Sequence, residues 1–317
     1  MSLSGSDPTI SHASVDRPAQ WAEAGIGPGW RFKFFASMMR WGGKARGYHL
    51  ANFAAVWYAA FYPAIRRRLS PYLSRRFPKH RSVLQKWFDT FRIVQAYGTT
   101  LVDMLVLSMY GREAFEAVSR DHERFLQIAS QPRGFVLVLA HVGCWQIGMS
   151  TLGELKKSVA VVMIPEPGTM VGRAPYRVID PRGGLGASME MSEALLKGEV
   201  VAVMGDRVFG GDQTTAAVEF LGDEAHFPVS PYRMASATGV PVVVMTAPRV
   251  GKRKYEVRVE AVIEVPAGLG RNAQKYEPYA REFAQCLERF VEEFPYQFYN
   301  FYDLWESPLM PSPPPRQ

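Results

Sequence analysis

The chain has 317 residues, of which 47% are hydrophobic, 21% charged and 13% aromatic, and its formal net charge is +7. This length and apolar content support a sizeable buried core, so the composition excludes intrinsic disorder for most of the chain. Cys144 and Cys286 are its only cysteines, which excludes a disulfide scaffold and a thiolate metal cage and is typical of a reducing compartment.

The positive charge is concentrated in one N-terminal segment. Residues 24–88 contain 13 Lys and Arg residues and no Asp or Glu, whereas the rest of the chain carries 24 basic and 30 acidic residues. An uncompensated basic segment faces an anionic partner, which is a phospholipid surface, a nucleic acid or an acidic carrier protein. The remainder of the chain has the charge balance of an ordinary soluble domain.

The apolar pattern within the basic segment favours a membrane partner over nucleic acid. Residues 47–65 (GYHLANFAAVWYAAFYPAI) have about the length of a transmembrane helix, but His49, Asn52 and Pro63 interrupt them. Arginines flank the stretch at both ends, and Trp57 lies in its second half. This pattern predicts a helix that lies in the interface of an anionic membrane or dips into one leaflet, rather than one that spans the bilayer. The alternative is a buried core helix followed by a solvated basic turn.

The domain organisation follows from these segments. Residues 1–23 are predicted to be a disordered tail, and they contain no apolar stretch typical of a secretory signal peptide. Residues 24–88 form the basic, aromatic, membrane-associating helical segment, and residues 89–305 form an α/β domain. Residues 306–317 are a Pro-rich tail.

The hydrophobic period changes along the α/β domain. Between residues 82 and 125 apolar residues recur at intervals of three and four, which predicts two helices separated by Gly111. From Gly134 onward there are short Val-rich runs typical of strands covered on both faces, namely GFVLVLA, SVAVVMI, EVVAVMG and VPVVVMTA. Helical patterns fall between them, YEVRVEAVIEV is predicted as an edge strand, and residues 275–294 as a long helix. The alternation predicts a mostly parallel central sheet flanked by helices.

The first candidate functional residue is His141, which directly follows the run GFVLVLA. Loops after the strands of such a sheet commonly carry the chemistry. His141 begins the local sequence HVGCWQIG, in which the small residue Gly143 precedes a predicted helix start. A histidine placed there can reach solvent beside backbone donors. The alternative is a buried histidine that is hydrogen-bonded to a carbonyl group.

A second group of candidates follows the strand EVVAVMG. Asp206 and Arg207 begin the loop after it and could hold a charged ligand, or form a local ion pair. Gly222, Phe227 and Pro228 belong to an apolar turn that leads into a helix. Such a turn could line an acyl slot or anchor a phosphate, although packing alone also explains it.

The order of these pieces resembles the lysophospholipid acyltransferase superfamily. They are a strand-terminal His with a polar residue five positions on, then GDRVFGGDQTTAAVEFLGDEAHFP, a small-residue helix and GVPVVV. The resemblance is to the branch of late lipid A acyltransferases and phosphatidylinositol mannoside acyltransferases. It covers approximately residues 30–305, including the aromatic ending FPYQFYNFYDLW.

The resemblance implies transfer of a fatty acyl group from a thioester, on acyl carrier protein or coenzyme A, to a hydroxyl of a glycolipid or lysolipid. His141 matches the family's catalytic base, with backbone N–H groups nearby to stabilise the oxyanion. Asp206 and Arg207 match the second block of the family and would orient the phosphate or sugar of the substrate. The implied location is the cytoplasmic face of the inner (plasma) membrane, as a peripheral or monotopic protein.

The chain departs from the family pattern at Gln146. The family has a carboxylate five residues after the catalytic histidine, where this sequence has an amide. An amide can orient an imidazole but does little to stabilise imidazolium. Another carboxylate therefore serves His141, with Asp206 as the first candidate, or the protein is slow, differently tuned or inactive.

Two other classes of function remain open in the sequence. A lipid-binding homologue with impaired catalysis would explain Gln146, and a thioesterase would use Cys144 as its nucleophile beside His141. No GxSxG or GxCxG elbow supports the thioesterase. No GxxxxGK[ST] or HExxH motif is present, so no nucleotide or metal cofactor is expected, and the acyl thioester is a co-substrate.

Overall fold

The computed structural model of the protein describes most of the chain. The described residues are 30–77, 81–154, 157–164, 176–207 and 214–306. The tail predicted at residues 1–23 lies outside these ranges, and so do residues 307–317 of the tail predicted at residues 306–317.

The described residues form an alternating series of helices and strands. The α-helices are α1 (Trp30–Phe61), α2 (Pro63–Arg76), α3 (Val83–Tyr110), α4 (His122–Ala129), α5 (Trp145–Thr151), α6 (Leu185–Leu196), α7 (Ser230–Thr238) and α8 (Glu277–Glu293). The strands are β1 (Glu116–Ser119), β2 (Phe135–Leu139), β3 (Val159–Val162), β4 (Arg177–Ile179), β5 (Val200–Met204), β6 (Thr215–Phe220), β7 (Asp223–Pro228), β8 (Val242–Thr246), β9 (Arg249–Gly251) and β10 (Lys254–Ile263).

The main sheet has the order β1-β10-β8-β2-β5-β3-β4, with β9 paired to β10. The five strands β8, β2, β5, β3 and β4 run parallel to one another, and β10 is antiparallel to β8. All four predicted Val-rich runs are strands of this sheet. The predicted α/β fold with a mostly parallel sheet flanked by helices is therefore confirmed.

Helices cover both faces of the sheet. Along β2, Val136 and Val138 project into a core with α6, α7 and α8, while Leu137 and Leu139 project into a second core with α4 and α5. Because successive side chains of a strand point to opposite faces, an all-apolar β2 requires this cover on both sides. The strand ends at one edge of the sheet are left for polar residues.

Three local predictions were wrong. The residues after Gly111 do not form one helix, because residues 116–119 pair in parallel with β10 as strand β1 before α4 begins. For the same reason β10 is not the outermost strand: β1 and β9 both pair with its first half. The turn around Gly222 belongs to the β6–β7 hairpin, which forms a separate two-stranded sheet.

The apolar stretch of residues 47–65 is divided between two helices, because Pro63 begins α2. The Arg66 guanidinium donates to the carbonyl oxygens of Ala59 at 2.7 Å and Ala60 at 3.1 Å, and these bonds satisfy the last turn of α1. The stretch is therefore interrupted at Pro63, and the arginines at positions 66–68 that follow it lie in α2.

The N-terminal helices pack against the α/β domain. Leu69 and Tyr72 of α2 are buried in the main core, and the Tyr72 hydroxyl donates to the carbonyl oxygen of Pro295 at 2.7 Å. The boundary predicted between residues 88 and 89 falls inside α3. Removing α1 and α2 would consequently expose core side chains.

Helices α1 and α3 lie side by side in antiparallel directions. The Gln95 side chain donates to Asn52 at 3.1 Å, and the Tyr48 hydroxyl donates to Asp103 at 2.5 Å. Residue numbers therefore increase along α1 in the direction in which they decrease along α3. In the described part of the chain, α3 is the one helix long and apolar enough to cross a membrane by length and composition.

Gly205, which directly follows β5, is closely packed against buried side chains, and this packing gives a prediction about stability. A Cβ atom on Gly205 would lie 2.4 Å from Val138 Cγ1 and 2.8 Å from Phe283 Cζ, both in buried side chains. We expect Gly205→Ala to lower the free energy of unfolding by about 1–3 kcal/mol through overpacking. Urea unfolding followed by circular dichroism measures this change.

The matched control is Gly186→Ala in the exposed part of α6, where no atom lies within 4 Å of the added Cβ. Helix propensity predicts that this change is neutral or stabilises by up to about 1 kcal/mol. Equal unfolding midpoints for the two variants would contradict the packing described around Gly205.

Candidate active site

The site begins with two residues that the parallel sheet brings together. Strands β2 and β5 pair in parallel with Leu139 opposite Met204. His141 and Asp206 each lie two residues beyond this pair, so they leave the sheet side by side at the same edge. The sequence proposed Asp206 as the first candidate partner of His141, and the structure places the two in contact.

The contact joins His141 to Asp206 through both its ring and its backbone. His141 Nδ1 lies 3.0 Å from Asp206 Oδ1 and 3.1 Å from Oδ2, and the His141 backbone N–H donates to Oδ2 at 2.8 Å. Asp206 is fully buried, whereas 23% of the His141 side chain is exposed. The carboxylate therefore lies behind the imidazole, and the imidazole lies between it and solvent.

The ionisation of Asp206 is set by two opposing effects. Burial raises the pKa of its carboxyl, but the adjacent His141 ring, the hydrogen bonds from His141 and the Arg207 guanidinium lower it by more, to about 2 from an ordinary 3.8. A folded-state pKa below the unfolded value means that the ionised carboxylate stabilises the fold at neutral pH. This contribution is lost as the pH falls from about 4 towards about 2.

An ionised Asp206 also fixes the tautomer of the neutral imidazole. A carboxylate only accepts hydrogen bonds, so the proton of neutral His141 resides on Nδ1. Nε2 then carries the lone pair, on the ring edge away from Asp206. This is the orientation that a general base requires.

Residues 297–302, here called the C-terminal segment, complete the site and supply a residue that sequence reasoning missed. The buried Asn300 donates through Nδ2 to Asp206 Oδ2 at 3.0 Å and accepts from Arg207 Nε at 3.0 Å. Arg207 also donates to the carbonyl oxygen of Tyr299 at 3.1 Å, and the Tyr302 hydroxyl donates to that of Asp206. Asn300 thus holds the Asp206 carboxylate and the Arg207 guanidinium in fixed relative positions.

The C-terminal segment also fixes the loop that carries His141. The Tyr299 backbone N–H donates to the His141 carbonyl oxygen at 2.8 Å, and Gly143 N–H donates to the Gln297 carbonyl oxygen at 3.0 Å. Cys144 N–H donates to the carbonyl oxygen of Ala247 at 2.9 Å. The backbone N–H groups of residues 141, 143 and 144 are therefore already bonded, so the expected oxyanion donors are not these three.

Gln146, in the first turn of α5, is directed to a different partner. Its Oε1 accepts the Cys144 S–H at a sulfur–oxygen distance of 3.6 Å. In the described residues, the polar side-chain partner of the His141 ring is Asp206. The structure therefore does not place Gln146 in the orienting role that the family's acid position implies.

The cysteines have the properties of structural thiols. Cys144 is fully buried, and burial raises its pKa to about 12, so it is protonated at neutral pH. Burial also raises the pKa of Cys286, on α8, to about 11. A protonated, buried thiol is a poor nucleophile.

Among the described residues, no group of three His, Cys, Asp or Glu residues could hold a metal ion.

His141, Asp206, Arg207 and Asn300 are here called the His141 cluster. The three residues of the β6–β7 hairpin that were predicted to bind substrate are not part of it. Gly222 lies in the exposed turn of the hairpin with φ of +83°. Phe227 is fully buried, with its ring centroid 5.7 Å from that of Phe220 and 5.8 Å from that of Phe283, and Pro228 is buried beside it. Packing accounts for the positions of Phe227 and Pro228.

Comparisons with known proteins indicate an acyltransferase. The family model for bacterial lipid A biosynthesis acyltransferases matches residues 44–307. No curated protein matches the chain. A similar solved structure is the 1-acyl-sn-glycerophosphate (LPA) acyltransferase, PlsC, from Thermotoga maritima, with 15% identity and a TM-score of 0.38 over 78% of this chain and 98% of that one.

The family assignment rests on the family model. That match includes both strand ends that carry His141 and Asp206, together with the C-terminal segment. The resemblance inferred from the sequence is confirmed. The chain belongs to the bacterial lipid A biosynthesis acyltransferase family and is an O-acyltransferase that acts on a lipid.

Proposed function

We propose that the protein transfers a fatty acyl group from an acyl thioester, carried by acyl carrier protein or coenzyme A, to a hydroxyl of a glycolipid or lysolipid. The observation that carries the proposal is the contact between His141 Nδ1 and the buried Asp206 carboxylate. This contact leaves Nε2 unprotonated and directed away from the carboxylate. His141 is then the general base.

The reaction needs no covalent enzyme intermediate. His141 Nε2 takes the proton of the acceptor hydroxyl while that oxygen attacks the thioester carbonyl carbon. The tetrahedral intermediate collapses as the carbon–sulfur bond breaks, and the imidazolium returns the proton to the leaving thiolate. The Asp206 carboxylate stabilises the imidazolium between these steps, because the two are 3.0 Å apart.

Arg207 orients the substrate in this proposal. Its Nε and Nη2 atoms are bonded to Asn300 and to the carbonyl oxygen of Tyr299, so its guanidinium is held in one orientation. Nη1 has no hydrogen-bond partner among the described residues and would bind a phosphate or sugar oxygen of the acceptor. The Arg207 Cζ atom also lies 5.3 Å from the centroid of the Tyr302 ring, which adds a cation–π contact.

The other two functions have less support. Impaired catalysis follows from Gln146 only if no carboxylate reaches His141, and Asp206 does reach it. A thioesterase with Cys144 as nucleophile requires a thiolate, whereas burial keeps this thiol protonated. Acyl transfer is therefore the function that the geometry supports best.

We also propose that α1, α2 and the start of α3 bind an anionic membrane at the cytoplasmic face of the inner membrane. Large apolar side chains are exposed there: Phe53, Val56, Trp57, Phe61, Tyr62, Val83, Leu84 and Phe88. Exposed Arg67 and Arg68 lie next to them on α2. A surface that combines apolar side chains with uncompensated arginines suits the head-group region of a bilayer.

The role of His141 is tested with His141→Gln. Glutamine keeps an N–H donor for the buried Asp206 carboxylate but cannot act as a base near neutral pH. We expect acyl transfer to fall about 10²- to 10⁴-fold with little change in thermal midpoint. Transfer of labelled acyl groups from acyl carrier protein or coenzyme A into a lipid extract gives the rate, and His226→Gln on β7 is the control that should keep full activity.

The carboxylate that serves His141 is identified by comparing Asp206→Asn with Gln146→Ala and Gln146→Glu. An Asn side chain can turn its NH₂ towards His141 Nδ1 and so impose the wrong tautomer, so we expect a loss of about 10⁴-fold in turnover. Gln146→Ala should cost less than about tenfold, since Gln146 contacts Cys144. Faster turnover in Gln146→Glu would show that Gln146 occupies the functional acid position.

Membrane binding is tested by sedimentation with vesicles that contain phosphatidylglycerol. We expect Arg67→Gln with Arg68→Gln to weaken binding at low salt, at about 1 kcal/mol per arginine. We expect Phe61→Ser with Val83→Ser to weaken the part of the binding that persists in high salt, because screening removes only the electrostatic share. Unchanged binding in both double variants would show that another surface meets the membrane.

A further inference from the structure

A cleft lies between the N-terminal helices and the C-terminal part of the chain, apart from the His141 cluster. Its volume is about 680 Å³. One wall is formed by α1 and α3, and the other by β9, the following residue Lys252, residues 293–297 and Tyr299. None of the residues assigned to acid–base chemistry lines it.

The cleft carries an excess of positive charge. Arg92, Arg249 and Lys252 line it, and within the described residues neither Arg92 nor Lys252 forms an ion pair. Glu293 is the carboxylate in the lining, and both of its oxygens are bonded to Arg258, at 2.6 and 2.9 Å. The charges that remain for a ligand are therefore cationic, which indicates an anionic ligand.

The interior of the cleft offers neutral polar groups in fixed positions. Asn52 and Gln95 are hydrogen-bonded to each other, and Thr99 lies one turn after Gln95 on α3. Arg92 is held over the Tyr296 ring, with its Cζ 5.1 Å from the ring centroid. Amide and hydroxyl groups beside a positioned guanidinium suit a phosphate that carries a polar alcohol.

An exposed apolar surface adjoins the cleft on both helices of its first wall. Phe53 follows the cleft residue His49 by one turn on α1, and Phe88 precedes Arg92 by one turn on α3. Because α1 and α3 are antiparallel, both helices continue from the cleft into this apolar surface in the same direction. We call it the apolar rim, and it consists of Phe53, Val56, Trp57, Leu84 and Phe88.

We propose that this cleft is a second lipid site, which binds the phosphodiester head group of an anionic phospholipid while the acyl chains lie along the apolar rim. Cations and polar groups at one end, followed by exposed apolar side chains at the other, match the two parts of such an amphiphile. The site binds a lipid without reacting with it, because the His141–Asp206 pair that is assigned to acid–base chemistry does not line the cleft. It fixes the depth and orientation of the N-terminal helices at the membrane surface.

The cleft is connected to the His141 loop through the C-terminal segment. The Gln297 side chain bonds to both backbone groups of Arg249 at 2.9 Å, and its carbonyl oxygen accepts from Gly143 N–H. Tyr299 lines the cleft, and its backbone N–H donates to the carbonyl oxygen of His141. A lipid in the cleft therefore rests against the segment that positions the catalytic loop.

Isothermal titration calorimetry of the full-length protein tests this site without an acyl donor. The probes are dihexanoylphosphatidylglycerol below its critical micelle concentration, and glycerophosphoglycerol, which has the same head group without chains. We expect the lipid to bind, with a dissociation constant raised about 10- to 30-fold in Arg92→Gln with Lys252→Gln. We expect Phe53→Ser with Leu84→Ser to weaken lipid binding and to leave glycerophosphoglycerol unchanged.

The matched control is Arg271→Gln with Lys275→Gln, which removes two exposed cations outside the cleft and outside the proposed membrane surface and should leave binding of the monomeric lipid unchanged. An equal loss in this control, or wild-type affinity in the Arg92 and Lys252 double variant, overturns the proposal. Glycerophosphoglycerol bound as tightly as the lipid would assign the cleft to soluble phosphate esters instead. Because the measurement involves no turnover, its outcome is independent of the role proposed for His141.

Discussion

The Asp206 carboxylate has no contact with solvent, so its charge has to be compensated by donors and cations that the fold supplies. The His141 ring and backbone, the Asn300 amide and the neighbouring Arg207 guanidinium meet this need. A buried carboxylate that is left without its hydrogen-bond donors destabilises the fold, because the cost of taking its charge out of water is then uncompensated. The orientation of His141 is thus enforced by the electrostatics of a group behind it.

The register of the parallel sheet is the source of this arrangement. A strand pair fixes which residues leave the sheet together, and the pairing of β2 with β5 puts the histidine and the acid at equivalent positions. An acid on the helix after the histidine would approach the ring from the loop side instead. In this chain that helix position holds Gln146, which bonds to Cys144, and the sheet provides the carboxylate.

Parts of this structure could be predicted from the sequence because their signal is local. Strands buried on both faces leave continuous Val-rich runs, and polar residues directly after them indicated His141 and Asp206. The β6–β7 hairpin was missed because its two-residue turn has Leu221 at φ +55° before Gly222 at +83°, and leucine is not a typical residue for such a turn. β1 was missed because a parallel partner more than a hundred residues away overrides its helix-like spacing.

Asn300 could not be identified from sequence for a related reason. It lies in an aromatic stretch with no recognisable motif, and its role in the site depends on its contact with Asp206, which lies 94 residues earlier. The same holds for the backbone bonds of Gln297 and Tyr299 to the His141 loop. These contacts exist only after the C-terminal segment has docked against the strand ends.

This late docking has a consequence for the order of events during synthesis. A nascent chain that has emerged from the ribosome as far as Arg207 already contains the histidine, the acid and the arginine, but it lacks the amide that holds the last two together. Contacts at such long sequence separation form slowly, after local structure. The catalytic group is therefore assembled only when the segment around Asn300 has been translated and docked, so a partly made chain has the residues of the site without its geometry.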